Sequence, residues 1–169
     1  MKQQTLYFAY GSNLNRQQMK SRCPDSKCIK NYYLPGYKLS FSWKPTRRQS
    51  TGVANIVKKK GSKVPGGIWE ISESDERELN VYEGYPTLYT KDFFNLNGER
   101  VMFYIMKRRY SFKLPPRSYV DIIRQGYVDC NLDTKYLKRR LTYYNIELKN
   151  EKTIPIHLSG FVVVQCCVC

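Results

Sequence analysis

The chain has 169 residues, 41% of them hydrophobic and 25% charged, with 29 Lys+Arg against 14 Asp+Glu and a formal net charge of +15. That length suits one domain, and a compact chain of this size buries roughly 70% of its unfolded surface, so a core needs neither disulfide nor metal. The composition excludes intrinsic disorder, collagen and coiled coil as the main class.

Thr5-Leu6-Tyr7-Phe8-Ala9-Tyr10 is β-branched and aromatic and stops at Gly11-Ser12-Asn13, which predicts a buried strand entering a tight loop. Asn13 or Asn15 caps a short surface helix that ends near Cys23-Pro24. Residues 29–43 predict a short strand, a turn at Pro35-Gly36, and a second strand with Tyr37, Leu39, Phe41 and Trp43 on one face. Gly52–Val57 predicts another strand, Lys58-Lys59-Lys60-Gly61 a basic turn, and Val64–Ile71 a strand with Gly66-Gly67 at a close approach. Ser72 followed by Glu73, Asp75 and Glu76 opens a helix, because a serine cap and early acids satisfy its free N–H groups and dipole. Leu79 and Tyr82 mark its inner face, Gly84 its end, and Pro86 blocks continuation. Tyr89–Leu96, Asn97-Gly98 and Val101–Met106 predict a hairpin. Pro115-Pro116 precedes a helix with Tyr119, Ile122, Ile123 and Tyr127 on one side, and Asp133 caps another with Leu137, Leu141 and Tyr144 inward. The pattern is lost past Lys149. The order predicts an α+β fold, a mixed or antiparallel sheet curled towards a small barrel with flanking helices, in a domain over 1–149 and a tail over 150–169.

The charge is uneven. Residues 1–60 carry 13 Lys+Arg against one acid, Asp25, whereas 61–100 carry four basic and eight acidic residues. Such an excess raises nucleic acid or an anionic membrane as partners, beside the plainer reading of a solvated basic surface. No run reaches the roughly 18 apolar residues that span a bilayer, and the N-terminus lacks a signal-like apolar region, so a cytoplasmic protein is expected. Six cysteines then read as thiols rather than disulfides. Cys23 and Cys28 are spaced poorly for zinc, and no metal is expected from them. Cys166, Cys167 and Cys169 give the tail an ending similar to lipidated ones, and an exposed tail is the preferred reading.

Two features carry chemistry. A strand ending in Gly11-Ser12-Asn13 before a helix presents backbone N–H groups to a carboxylate or phosphate, although a tight turn needs glycine for structural reasons alone. Glu83 stands at a helix C-terminus beside Tyr82, where an acid opposes the dipole. It is either an exposed helix-end residue or a carboxylate whose aromatic surroundings suit it to general base work. The 15 tyrosines serve packing first, with base stacking as the alternative. His157 is the single histidine, so nucleophilic dyads and triads have little to use.

Tyr7-Phe8-Ala9-Tyr10-Gly11-Ser12-Asn13-Leu14, Gly52-Val53-Ala54-Asn55-Ile56, Val64-Pro65-Gly66-Gly67-Ile68-Trp69 and Tyr82-Glu83-Gly84-Tyr85-Pro86 together resemble the γ-glutamylcyclotransferase (AIG2-like) family in order and spacing. The likeness covers about residues 4–145. It implies a cofactor-independent intramolecular aminolysis, in which the α-amine of a γ-glutamyl group attacks its own γ-carbonyl to give 5-oxoproline and a free amine. Glu83 matches the acid/base carboxylate. Gly11, Ser12, Asn13 and Leu14, following Tyr10, match the loop that holds the glutamyl end, and Tyr89 and Tyr119 match pocket tyrosines. The block Glu83–Tyr89 is most similar to the γ-glutamylamine type. The implied partner is a small γ-glutamyl substrate, with nucleic acid disfavoured and membrane association a weaker alternative. The competing reading is a non-catalytic AIG2-like protein that binds an anionic ligand or nucleic acid.

Overall fold

A computed structural model describes residues 4–44, 51–108 and 110–143. Its elements are β1 (Gln4–Ala9), a 3-10 turn (Ser12–Leu14), α1 (Arg16–Arg22), β2 (Lys27–Lys44), β3 (Thr51–Ser72), α2 (Glu73–Glu83), β4 (Tyr89–Leu96), β5 (Glu99–Met106), α3 (Arg117–Asp129) and α4 (Thr134–Tyr143). Tyr144, His157, the three tail cysteines and the boundary at 149/150 lie outside the described residues.

The five strands form one mixed sheet in the order β2-β3-β1-β5-β4. β1 runs antiparallel to β3 and parallel to β5, and the other two pairings are antiparallel. β1 is central, and its consecutive Tyr7, Phe8 and Ala9 are all buried, as a strand covered on both faces requires. The class is α+β with flanking helices, as expected. No backbone ladder joins β2 to β4 among the described residues. The curl is instead closed by side chains: Tyr32 of β2 stacks on Phe94 of β4 with centroids 5.2 Å apart, and Tyr37 Oη reaches Asp92 Oδ2 at 3.5 Å.

Two predicted turns are not turns. β2 runs unbroken through Pro35-Gly36, and β3 through Lys58–Gly61. The register passes from Pro35↔Lys63 to Tyr37↔Lys58, so the extra β3 residues bulge outwards while pairing resumes beyond them. Gly36 and Gly61 take positive φ of 79° and 76° there. Pro35 is tolerated because β2 is an edge strand whose open side needs no N–H donor.

The helix-end chemistry read from sequence is present. Ser72 and Asp75 form a reciprocal capping box at the start of α2, Asn15 caps α1 by accepting from Gln18 N, and Gly84 closes α2 at φ +66°. Asn97-Gly98, both at positive φ, turns the β4–β5 hairpin. Asp75 is buried as part of its cap. Two side chains fall elsewhere than expected. Tyr82 is 40% exposed rather than on the inner face of α2. Ile122 is only half-buried, and Val120, Ile123, Gly126 and Tyr127 make the inner face of α3.

Packing then sets the site. Gly126 of α3 lies against the 3-10 turn so closely that a Cβ there would stand 2.5 Å from Leu14 Cβ and 2.7 Å from Asn15 N. α3 therefore seats directly on the loop that follows β1.

Candidate active site

β1 delivers Tyr10 to the rim of a pocket, and the turn after it supplies Gly11, Ser12 and Asn13 to the wall. Gly11 has an ordinary φ of −116°, and closeness is what excludes a side chain: a Cβ would meet Ala54 Cβ at 3.0 Å and Tyr119 Oη at 3.7 Å. The last residue of α2, Glu83, enters from the side, with Tyr89 of β4 and Tyr119 of α3 completing the predicted set. Seven elements thus converge on one cavity from positions up to 112 residues apart. Leu14 alone of the predicted residues does not line it. Its side chain is fully buried beneath the loop, against Gly126.

Glu83 is half-buried, and its Oε1 accepts from Asn13 Nδ2 at 2.9 Å. The same amide nitrogen donates to Tyr7 Oη at 2.8 Å. Asn13 Oδ1 accepts from Arg22 Nη1 at 2.5 Å. Arg22 in turn donates to Gln18 Oε1 at 2.6 Å and lies 3.7 Å over the ring of Tyr82. A cation on α1 is thus linked through one amide to the carboxylate on α2.

The opposite wall is pinned through Ala54 of β3. Tyr89 Oη donates to Ala54 O at 2.8 Å, and Ala54 N donates to Tyr119 Oη at 3.2 Å. Tyr10 Oη donates to Tyr104 O at 2.7 Å, and Tyr104 Oη donates to Asn80 Oδ1 at 2.8 Å. These bonds hold rigid rings around the cavity.

Burial pushes the hydroxyls of Tyr7, Tyr10, Tyr89, Tyr104 and Tyr119 above the usual phenol range, and the nearby Glu83 carboxylate pushes each further. At neutral pH they are uncharged. Among the described residues that line the cavity, Glu83 is the one carboxylate. The site can therefore accept a proton at one fixed oxygen pair while neutral O–H and N–H groups orient a polar ligand.

Sequence reasoning missed Tyr7, Tyr104 and Arg22. Tyr7 and Tyr104 sit within runs that read as core strand, and only their hydroxyl partners distinguish them. Arg22 lies on a surface helix, where basic residues carry no signal. Cys23 and Cys28 go to different partners: Cys23 Sγ faces Asp75 O at 3.6 Å and Cys28 Sγ faces Cys130. No group of three or more His, Cys, Asp or Glu among the described residues is arranged to hold a metal. No helix among them is long and apolar enough to cross a membrane.

A family model described as "Gamma-glutamyl cyclotransferase, AIG2-like" matches residues 7–126. A curated Homo sapiens protein named Gamma-glutamylcyclotransferase is 27% identical over 142 residues, 79% of this chain and 76% of the relative. A Mus musculus protein of the same name is 34% identical over 82 residues, 47% of this chain and 44% of the relative. Among solved structures, an uncharacterized protein from Homo sapiens superposes with a TM-score of 0.72 at 26% identity, covering 89% of this chain and 92% of the other. A structure named Gamma-glutamyl cyclotransferase superposes at 0.71 with 24% identity and the same coverage, which is a likeness of fold.

Proposed function

This chain belongs to the gamma-glutamyl cyclotransferase, AIG2-like family, and on that footing we propose that it converts a small γ-glutamyl amine or γ-glutamyl amino acid to 5-oxoproline and the free amine. The observation that carries this reading is Glu83, a half-buried carboxylate held by Asn13 at 2.9 Å beside the loop that follows β1.

The chemistry needs two proton transfers. The substrate's α-ammonium has no lone pair, so a base must remove a proton before nitrogen attacks the γ-carbonyl. The departing amine must then receive one. A single fixed carboxylate serves both steps, taking the proton from the nucleophile and returning it to the leaving nitrogen. Glu83 fills that role in this reading. Asn13 presents its N–H to one carboxylate oxygen and fixes the direction of the proton transfer.

Ring closure gains most from holding the amine near the carbonyl, because attack within one molecule avoids the entropy of a bimolecular encounter. The 3-10 turn uses the N–H groups of Leu14 and Asn15 internally, on Gly11 O and Ser12 O. Those of Ser12 and Asn13 precede its first hydrogen bond, as at any helix start, and are offered to the substrate carboxylate or the developing oxyanion. Tyr10, Tyr89 and Tyr119 form the walls that exclude water from the reacting atoms.

The test is Glu83→Gln, assayed for 5-oxoproline with γ-glutamyl-alanine, γ-glutamyl-ε-lysine and a γ-glutamyl carrier. Glutamine keeps the shape and loses the titration. The expected result is a folded protein without turnover on the substrate that the wild-type chain uses. Undiminished activity in the variant removes Glu83 from the mechanism, and no product from any substrate with wild-type protein favours a binding role over catalysis.

A further inference from the structure

We propose that Cys28 and Cys130 are an oxidisable pair: a hydroperoxide oxidises Cys28, and Cys130 resolves it to an intramolecular disulfide between β2 and the end of α3. The two Sγ atoms lie 4.0 Å apart although 102 residues separate them in sequence. A disulfide needs about 2.05 Å, so closure asks for a movement of about 2 Å. Cys28 stands at the register shift of edge strand β2 between Cys28 and Lys30, and such a bulge re-aims the side chains beside it. It is half-buried and open to a small oxidant, whereas Cys130 is 5% exposed and shielded.

The two thiols are not equivalent. The contact with Cys130 and the nearby Arg16 guanidinium together lower the Cys28 pKa against the opposing effect of burial. The same pairing, together with burial, pushes Cys130 up. Thiolate is the reactive form, so Cys28 is the attacking sulfur. Cys23 provides the contrast within this chain: burial pushes its thiol up to about 12 and leaves it inert.

The steps balance. The Cys28 thiolate attacks one peroxide oxygen, the O–O bond breaks, and the departing alkoxide or hydroxide takes up a proton, leaving a sulfenic acid. The Cys130 sulfur then gives up its proton and attacks the Cys28 sulfur. The S–S bond forms, the S–O bond breaks, and water leaves. Two thiols and one hydroperoxide become one disulfide, one alcohol (or water) and one water.

The pair lies under the proposed binding loop. Cys130 Sγ donates to Leu14 O at 3.5 Å, and a disulfide has no S–H to donate. A Cβ at Gly67 would stand 3.1 Å from Cys130 Sγ and 3.4 Å from Leu14 Cδ2, so sulfur, strand and loop are packed without slack.

The experiment treats the reduced full-length chain with hydrogen peroxide, blocks free thiols, and maps peptides by mass spectrometry, so it reads no enzymatic activity. The expected product joins the Cys28 peptide to the Cys130 peptide with loss of two hydrogens and is reversed by dithiothreitol. Cys130→Ala is expected to stop at a Cys28 sulfenic acid that dimedone traps. Cys28→Ser, at the more exposed position, tests the same order if the first variant fails to fold, and is expected to leave Cys130 unoxidised. Cys28 joined instead to Cys166, Cys167 or Cys169, equal oxidation of Cys130 in Cys28→Ser, or two free thiols after treatment would each overturn the proposal.

Discussion

Arg22 determines which end of the Asn13 amide faces Glu83. A guanidinium only donates, so the 2.5 Å contact from Arg22 Nη1 requires Asn13 Oδ1 on that side and turns Nδ2 towards the Glu83 carboxylate. Without Arg22 the amide is free to flip, and Oδ1 would then oppose a carboxylate oxygen unless Glu83 is protonated. Glu83 shares its cavity with Tyr7 of β1, Tyr10 just after it, Tyr82 of α2, Tyr89 of β4, Tyr104 of β5 and Tyr119 of α3, and burial raises the pKa values of Tyr7, Tyr10, Tyr89, Tyr104 and Tyr119.

Arg22 is therefore a positioning residue, and Arg22→Ala is expected to lower kcat/KM by about tenfold to a hundredfold, the cost of misplacing a reacting group. The acidic limb of the pH–rate profile moves to higher pH in this variant. Arg22→Lys, which still donates to Oδ1, restores part of both. A loss of rate with an unmoved pH profile would assign Arg22 to structure alone.

The buried tyrosines make stability sensitive to alkali. Tyr7, Tyr10, Tyr89, Tyr104, Tyr119 and Tyr127 all have raised pKa values, chiefly from burial. The unfolded chain therefore releases these protons first, near pH 10, while the folded chain retains them. Their contribution is fully present below about pH 10 and is lost as pH rises from there towards the folded values. Urea unfolding across that window is expected to show a steep fall in stability. Glu83→Gln removes a charge that raises five of these pKa values, so tyrosinate absorbance should appear at lower pH in that variant.

The start of α2 offers a test independent of catalysis. Ser72 Oγ accepts from Asp75 N at 3.2 Å and Ser72 N donates to Asp75 Oδ2 at 3.3 Å. Ser72→Ala removes one half of this box and is expected to cost about 1 kcal/mol in urea denaturation. Glu83 lies at the other end of the helix, so turnover by the folded fraction should be unchanged.

Gly126→Ala sets helix propensity against space. Alanine favours a helix over glycine by about 1 kcal/mol, but the new Cβ would meet Leu14 and Asn15 backbone atoms at 2.7 Å. The clash is with main chain, which cannot rotate away, so a net loss of about 1–3 kcal/mol is expected. The strain falls on the Gly11–Leu14 loop, and KM should rise more than kcat falls. A variant as stable as wild type with unchanged KM would show that the loop is not held by this contact.

Much of the site was legible locally. Gly11-Ser12-Asn13 after a strand, and an acid at a helix C-terminus before Gly84, each break or follow a short-range rule visible in a few residues. Arg22 and Tyr104 were not legible, because their roles consist of partners 9 and 24 residues away, reached by side chains whose types are ordinary for a surface helix and a core strand. The Pro35-Gly36 and Lys58–Gly61 turns were misjudged for the converse reason. Local breakers mark turns on average, but here the two irregularities face each other across one ladder and are absorbed together as a bulge.

By itself the sequence determined which stretches are strand and which helix, the caps of α1 and α2, the Asn97-Gly98 hairpin and the family, since each rests on neighbouring residues or on ordered motifs. Tertiary structure decided which strands are neighbours, so that β1 joins β3 and β5 although they are distant in the chain. It also decided that the sheet closes through Tyr32 and Phe94 rather than through backbone, that Leu14 supports the loop from below, and that Cys28 meets Cys130. These depend on how side chains fill the space between elements, and packing is a property of the folded whole that no short window of residues carries.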